Sequence, residues 1–317
     1  MGYFDTTLII TKQIAIMFLM VGLGYALIKT GFLTESFNLM LSKLLLHVIM
    51  PCLLLSSFQI GYDPATARHI GLVLLLSVLV QGISIAVGRL MFGRQDDTKS
   101  RVAKIGVGYC NCGFMGLPLL HAILGAEGVI YASAFIIVFN IATWTHSYAV
   151  LRGGRIFGKG GRPLHQILLV PNILAAAAGL ALYFMPFRLP SLILTPLASI
   201  GAANTPLAML VLGGFLAKID FRRAFTDKTA LRAYFGRLVL CPAVSAAALV
   251  LLPVGEAART AMFVISAMPT STSLGLMAGL YDADGPFGAQ IVAVSTLLSA
   301  VTIPLMTGAY FALGAVI

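Results

Sequence analysis

Ten stretches of roughly twenty mostly apolar residues succeed one another along the chain, near 8–28, 38–60, 69–91, 105–124, 128–150, 164–185, 192–216, 233–252, 259–280 and 287–313. As helices rising about 1.5 Å per residue, each matches the roughly 30 Å hydrocarbon core of a bilayer. Apolar surface on that scale needs lipid to cover it. The composition agrees: 59% of the 317 residues are hydrophobic, 10% are charged and mean hydropathy is +0.97, whereas about a quarter of a soluble domain is charged. The expected fold class is an all-α membrane protein of ten transmembrane helices, which excludes a soluble enzyme.

The formal net charge of +10 points to membrane topology and not to nucleic acid. Binding a phosphate backbone needs a basic patch interleaved with aromatic or polar readers, and here the basic residues lie in the gaps between apolar stretches. Alternate gaps collect them, from Lys29 and Arg94–Lys104 through Arg152–Arg162 to Lys218–Arg232, while the opposite gaps hold only Arg68, Arg188 and Arg259. By the positive-inside rule the rich side is cytoplasmic and both termini are extracytoplasmic, which suits a multi-pass protein of the cell (inner) membrane. The segments Arg94–Lys104 and Lys218–Arg237 are expected along the anionic cytoplasmic leaflet, with membrane lipids as partners. Asp5 precedes a first stretch of full spanning length, so that span is expected to be retained and not cleaved as a leader. Cys52, Cys110, Cys112 and Cys241 lie in or beside apolar stretches without a CxxC pair, and no disulfide framework or metal site is expected.

A basic, glycine-rich linker at 151–163 divides the chain into residues 1–150 and 164–317. Landmarks recur in order across that division. Pro51 to Phe58 closes the second span and Pro206 to Phe215 the seventh; Gly24-Tyr25 pairs with Ala181 to Tyr183, and Gly116-Leu117 with Gly275-Leu276. Five spans per half is an odd number, so the second half must be inverted relative to the first, as in many secondary transporters.

Spans four and nine are poor continuous helices. The run Gly106 to Pro118 holds four glycines, Asn111 and a proline, and the run Ser266 to Gly275 holds Pro269 and the hydroxyl series Thr270-Ser271-Thr272-Ser273. Against alanine, glycine costs about 1 kcal/mol and proline about 3 in a helix interior. Both spans are expected to break near the bilayer centre, where irregular backbone persists only against a cavity or within protein. Freed N–H groups and the positive ends of half-helices there favour an anion such as a carboxylate. All eleven acidic residues fall in gaps or at span ends, so an anion would meet no fixed negative charge and a carboxylate-coupled cation antiporter is disfavoured.

Several motifs carry a family resemblance: Asn111-x-x-x-x-Gly116-x-Pro118, Ala267-Met268-Pro269, Pro171-Asn172 and Pro206-Leu207-Ala208-Met209-x-x-x-Gly213. Together, over nearly the whole chain, they resemble the auxin efflux carrier family, which includes the plant auxin exporters and bacterial relatives assigned to malonate and similar acids. The resemblance implies two inverted five-helix repeats in a fold like that of sodium/proton antiporters and bile acid symporters, with crossed broken helices 4 and 9. It further implies a scaffold of spans 1, 2, 6 and 7, a transport domain of spans 3–5 and 8–10 moving as an elevator, and a homodimer. The family's substrate-contacting asparagine matches Asn111 and its second crossover proline matches Pro269. The hydroxyl run after Pro269 is closer to the bacterial members, and only about a dozen residues link the halves. A small mono- or dicarboxylate is therefore expected in place of auxin.

The expected anion site comprises Asn111, Cys112, Gly113 and Pro118 of the first break and Pro269, Thr270, Ser271 and Thr272 of the second. Asn140 of span five either joins it or serves as packing glue. His47 and His146 stand as proton-coupling groups or as interhelical hydrogen-bonding residues. Lys43, one turn before His47, either adds positive potential to an anion path or reaches for the interface. Gly153 to Gly160 nearly fits a phosphate-binding loop, but Gly160 replaces the required hydroxyl residue and no strand precedes it. ATP-driven transport is therefore not indicated, and no cofactor is expected. The alternative reading is a sodium- or proton-coupled organic anion symporter of the bile acid symporter type. An intramembrane protease would need paired aspartates or a Ser/His set, and neither is visible.

Overall fold

The computed structural model is described for residues 3–59, 64–93, 97–153, 171–185, 188–281 and 283–314; these form helices joined by turns and short extended connections, with a single isolated antiparallel bridge among them. The first half contains α1 (Tyr3–Lys29), α2 (Glu35–Leu44), α3 (Met50–Ser57), α4 (Pro64–Phe92), α5 (Thr98–Gly108), α6 (Leu117–Ala142) and α7 (Tyr148–Leu151). The second contains α8 (Pro171–Phe184), α9 (Ser191–Ala202), α10 (Asn204–Leu216), α11 (Phe221–Thr226), α12 (Lys228–Phe235), α13 (Cys241–Val250), α14 (Glu256–Ser266), α15 (Ser273–Leu280) and α16 (Gly285–Gly314). Side chains cap several of these starts: Thr34 accepts from Phe37 N at 3.2 Å, Asp97 from Ser100 N at 2.9 Å, and Asp227 from Thr229 N at 2.9 Å. Residues 154–163 of the expected linker, with most of the glycine-rich loop, and residues 164–170 of the sixth span lie outside the described residues.

Single turns of wider π-helix join α2 to α3 (Leu45–Ile49), lead into α6 (Cys112–Gly116), join α6 to α7 (Thr143–Ser147) and join α12 to α13 (Gly236–Leu240). Three of the four are followed, two residues on, by a proline: Pro51, Pro118 and Pro242. Proline cannot donate to the carbonyl four residues back, and its ring collides with it. A widened turn just upstream opens the space and keeps the chain helical.

Among the described residues, seven helical runs are long and apolar enough to cross a membrane. One of them, Cys112–Leu151, has 40 residues, about 60 Å of helix or twice the hydrocarbon core. It breaks at Gly125, where φ is +60° and ψ −140°, a backbone that favours glycine. Large apolar side chains such as Leu19, Leu75, Leu90, Leu192 and Leu305 point outward and are exposed, as lipid-facing positions must be.

Among the described residues the most extensive helix pairing is α1 with α10. A Cβ on Gly24 would stand 2.2 Å from Leu210 O, and one on Gly213 would stand 2.1 Å from Val21 O, so the two backbones touch where glycine permits it. Asn38 Nδ2 donates to Val211 O at 3.3 Å and ties α2 to the same pair, while α3 packs against α8 and α9. A second set of contacts joins α4 to α5 and α6, α14 to α4 and α6, and α15 to α16.

The basic segment ending at Arg237 does not lie wholly along the membrane surface. Lys218 and Arg232 are exposed, but Arg237 is only 1% exposed and sits inside the helix packing. The reason is its position on the π-turn between α12 and α13, within the apolar run Lys228–Val250.

Candidate functional site

The two glycine- and proline-rich spans do break, and the breaks meet. After α5 the backbone extends through Tyr109 to Asn111, and after α14 it extends through Pro269 to Ser271. Cys110 and Thr270 pair as the antiparallel bridge. Asn111 N donates to Pro269 O at 2.7 Å and Ser271 N to Tyr109 O at 2.9 Å. Helix ends leave carbonyls without intrahelical partners, and at α5 each finds a donor from elsewhere. Thr270 Oγ1 donates to Gly106 O at 2.8 Å, Arg237 Nη1 to Val107 O at 3.0 Å and Gln81 Nε2 to Gly108 O at 2.9 Å.

Beside this crossing lies a cavity of about 650 Å³, within the usual size range of small-molecule sites. One wall is the first break, Cys110 to Phe114, and another is Ser271, Thr272 and Ser273 with Met277. These are the starting turns of the two half-helices beyond the breaks, whose first N–H groups have no acceptor in their own helix. Lys43 of α2, Leu46 and His47 of the turn after it and Met50 of α3 also line the cavity, with Ile136, Phe139 and Asn140 of α6, Thr143 and Trp144 of the π-turn that follows, and Pro171-Asn172 at the start of α8.

Asn111 is 3% exposed; its Oδ1 accepts from Phe114 N at 3.2 Å, capping the turn, and its Nδ2 has no partner. Thr143 Oγ1 and Asn172 Oδ1 are likewise buried without partners on the cavity wall. The described lining contains no carboxylate and one lysine. Unpaired buried polar atoms are rare in folded proteins and ask for an occupant. Among the described residues no group of three or more His, Cys, Asp or Glu could hold a metal, and the four cysteines are free.

Of the residues singled out from sequence, the cavity brings together Asn111, Cys112, Gly113, Ser271, Thr272, Asn140 and His47. His47 Nδ1 lies 2.9 Å from Lys43 O, and Asn140 Nδ2 donates to Ile136 O at 2.9 Å within its own helix. Pro118, Pro269, Thr270 and His146 do not line it. Pro118 sits in the first turn of α6; Pro269 offers only its carbonyl, to Asn111; and Thr270 is fully buried, its hydroxyl committed to Gly106 and its N–H to Ser295 Oγ at 3.2 Å. His146 stands behind the crossing, with Nδ1 3.0 Å from the Tyr109 hydroxyl. Thr143 and Trp144 were not singled out from sequence, and Asn172 figured there only in the motif Pro171-Asn172, without a place in the site. The signal available was the spacing Asn140, Thr143, Trp144, three and four residues apart on one helical face, and the chain's single tryptophan.

A helical chain with several membrane-crossing runs, two of its segments broken against one another beside a mostly apolar cavity with a few buried polar groups, has the makings of a multi-pass membrane transporter. The chain belongs to the membrane transport protein family, the auxin efflux carriers, whose family model matches residues 9–156 and 162–307. An uncharacterized transporter of Methanothermobacter thermautotrophicus is 25% identical over 300 residues, which cover 93% of this chain and 96% of that one. An uncharacterized transporter of Methanocaldococcus jannaschii is 23% identical over 300 residues, covering 92% and 96% respectively.

Proposed function

We propose that this transporter is a secondary carrier for a small carboxylated organic anion, bound in the cavity at the crossing. The observation that carries the reading is the buried, unpartnered Nδ2 of Asn111 on a wall built from two half-helix starts, with no carboxylate in the described lining. The half-helix N–H groups, Asn111 and the hydroxyls of Ser271, Thr272 and Thr143 would hold the carboxylate, and the apolar wall from Leu46 to Trp144 would take the carbon skeleton. Lys43 supplies positive potential from one side.

The same proposal takes the chain as ten crossings in two inverted repeats. In its favour, the 40-residue run Cys112–Leu151 is too long for one crossing and breaks at Gly125. α1 packs with α10 and α3 with α8 and α9, while α4, α5, α6, α14, α15 and α16 pack among themselves; the two groups meet where α1 touches α6 and α16 and where α6 touches α8, which suits a scaffold and a moving transport domain that share an interface and work as an elevator. A homodimer through the scaffold, with both termini extracytoplasmic, completes the reading. Proton coupling would fall to His47, on the cavity wall, or to His146, within hydrogen-bond distance of Tyr109 at the break.

A thermal-shift screen of mono- and dicarboxylates on purified protein, with and without sodium and across pH, tests the substrate class. A carboxylate should raise the melting midpoint of the unaltered protein. Asn111→Ala should fold and elute as the parent does and lose that response; an undiminished response in this variant would remove the assignment.

A further inference from the structure

Arg237 is the one charged side chain among the described residues that is buried. Its Nη1 donates to Val107 O at 3.0 Å and to Ser84 Oγ at 3.4 Å, and its Nη2 donates to Ser266 O. Val107 lies in the last turn of α5 and Ser266 ends α14. One guanidinium therefore bridges the C-terminal ends of both broken helices, and none of these four residues lines the cavity. No carboxylate balances it: the ion pairs among the described residues are Lys99–Asp227 and Lys218–Glu35.

The charge is met by helix ends instead. Each C-terminus carries about −0.5 of an elementary charge and each N-terminus about +0.5. Two C-termini thus present about −1 to a single guanidinium, and two N-termini present about +1 to the cavity. The cavity side lacks a partner that an anion supplies, whereas on the other side both terminal nitrogens of Arg237 are bonded, with Nε alone left over. Half-helix C-termini and unwound backbone oxygens are also the groups with which carriers of this architecture hold a coupling sodium ion or proton.

We propose that Arg237 is a resident cation occupying the place a coupling cation would take, so that this carrier binds and moves its anion without sodium. Arginine suits the position because its planar fork reaches three oxygens at once and keeps its charge at any accessible pH. Arg237 acts as a positioning residue: it joins the two helix ends whose continuations wall the cavity and touches no substrate. The inference rests on the carrier reading above and deepens it.

The first arm uses unaltered protein. Carboxylate-induced thermal shift and uptake into vesicles are measured in sodium and again in choline. Equal responses are expected, and loss of response in choline overturns the proposal. The second arm needs no carboxylate, so it stays decisive if no anion is found and the substrate assignment fails. Arg237→Ala should melt lower than the parent and recover on addition of millimolar guanidinium but not of urea, which has the same shape without the charge. Absence of recovery, or equal recovery with urea, overturns it. Arg237→Lys, which keeps the charge and serves if the alanine variant does not fold, should remain indifferent to sodium; sodium dependence in it counts against the resident cation.

Discussion

Asn111 uses half of its amide to build the site and leaves the other half for a guest. Its Oδ1 caps the turn beyond the break, while Nδ2 stays unpaired at 3% exposure, an arrangement costing about 1–3 kcal/mol unless something accepts that donor. Asn111→Asp keeps the cap but sets a negative charge where the proposed anion's own would lie; it should fold and fail to respond to any carboxylate in the thermal-shift assay. Two threonines separate binding from architecture. The Thr143 hydroxyl has no partner on the cavity wall, so Thr143→Val should leave the melting midpoint near the parent's and weaken the anion-induced shift. The Thr270 hydroxyl satisfies Gly106 O, so Thr270→Val should cost about 1–3 kcal/mol of stability and preserve the anion's effect, read in the same two assays. Asn111 was legible in sequence because an amide among glycines at mid-span breaks a local rule. Thr143 and Asn172 break none; packing brings them to one cavity from helices far apart in the chain. Arg237 misled because it ends a run of surface cations, and the carbonyls that hold it come from residues more than 25 positions away.

At the scale of elements, hydropathy located seven membrane-length helical runs among the described residues, and the glycine and proline clusters located the breaks. Helix starts were less visible. Thr98 to Lys104 is too polar for a membrane span, yet it begins α5 because Asp97 caps it. The π-turns ahead of Pro51, Pro118 and Pro242 leave no mark of their own beyond the prolines. The contact of α1 with α10 depends on missing side chains, and Gly213→Val should force the two backbones apart. The cost is about 1–3 kcal/mol by the usual penalty for overpacking, checked by melting midpoint and by elution profile in detergent. The first turn of α5 is tied to the start of α12 through Lys99 and Asp227. Partial burial pushes the Asp227 carboxyl up, but Lys99 and the N–H groups of Ala230 and Thr229 outweigh it and hold the group below its usual range. Hydrogen bonds from Ser100 likewise hold Asp97 low. A depressed carboxyl contributes stability that is complete above its unfolded pKa and is lost as pH falls through the folded one. Melting midpoints should therefore decline below about pH 4, and less steeply in Asp227→Asn.

Over the whole molecule, the sequence carried the membrane class and the family through composition and spaced motifs. The cavity, by contrast, is a property of how the two halves approach each other, and no stretch of sequence contains it. Residues 109–111 supply one strand of the crossing and residues 269–271 the other, each giving a backbone donor and taking one in return. A gene cut between codons 153 and 171 would therefore yield two fragments, each holding one strand of the crossing and neither able to form the cavity alone. Activity should return only when both are made in the same membrane and find each other there.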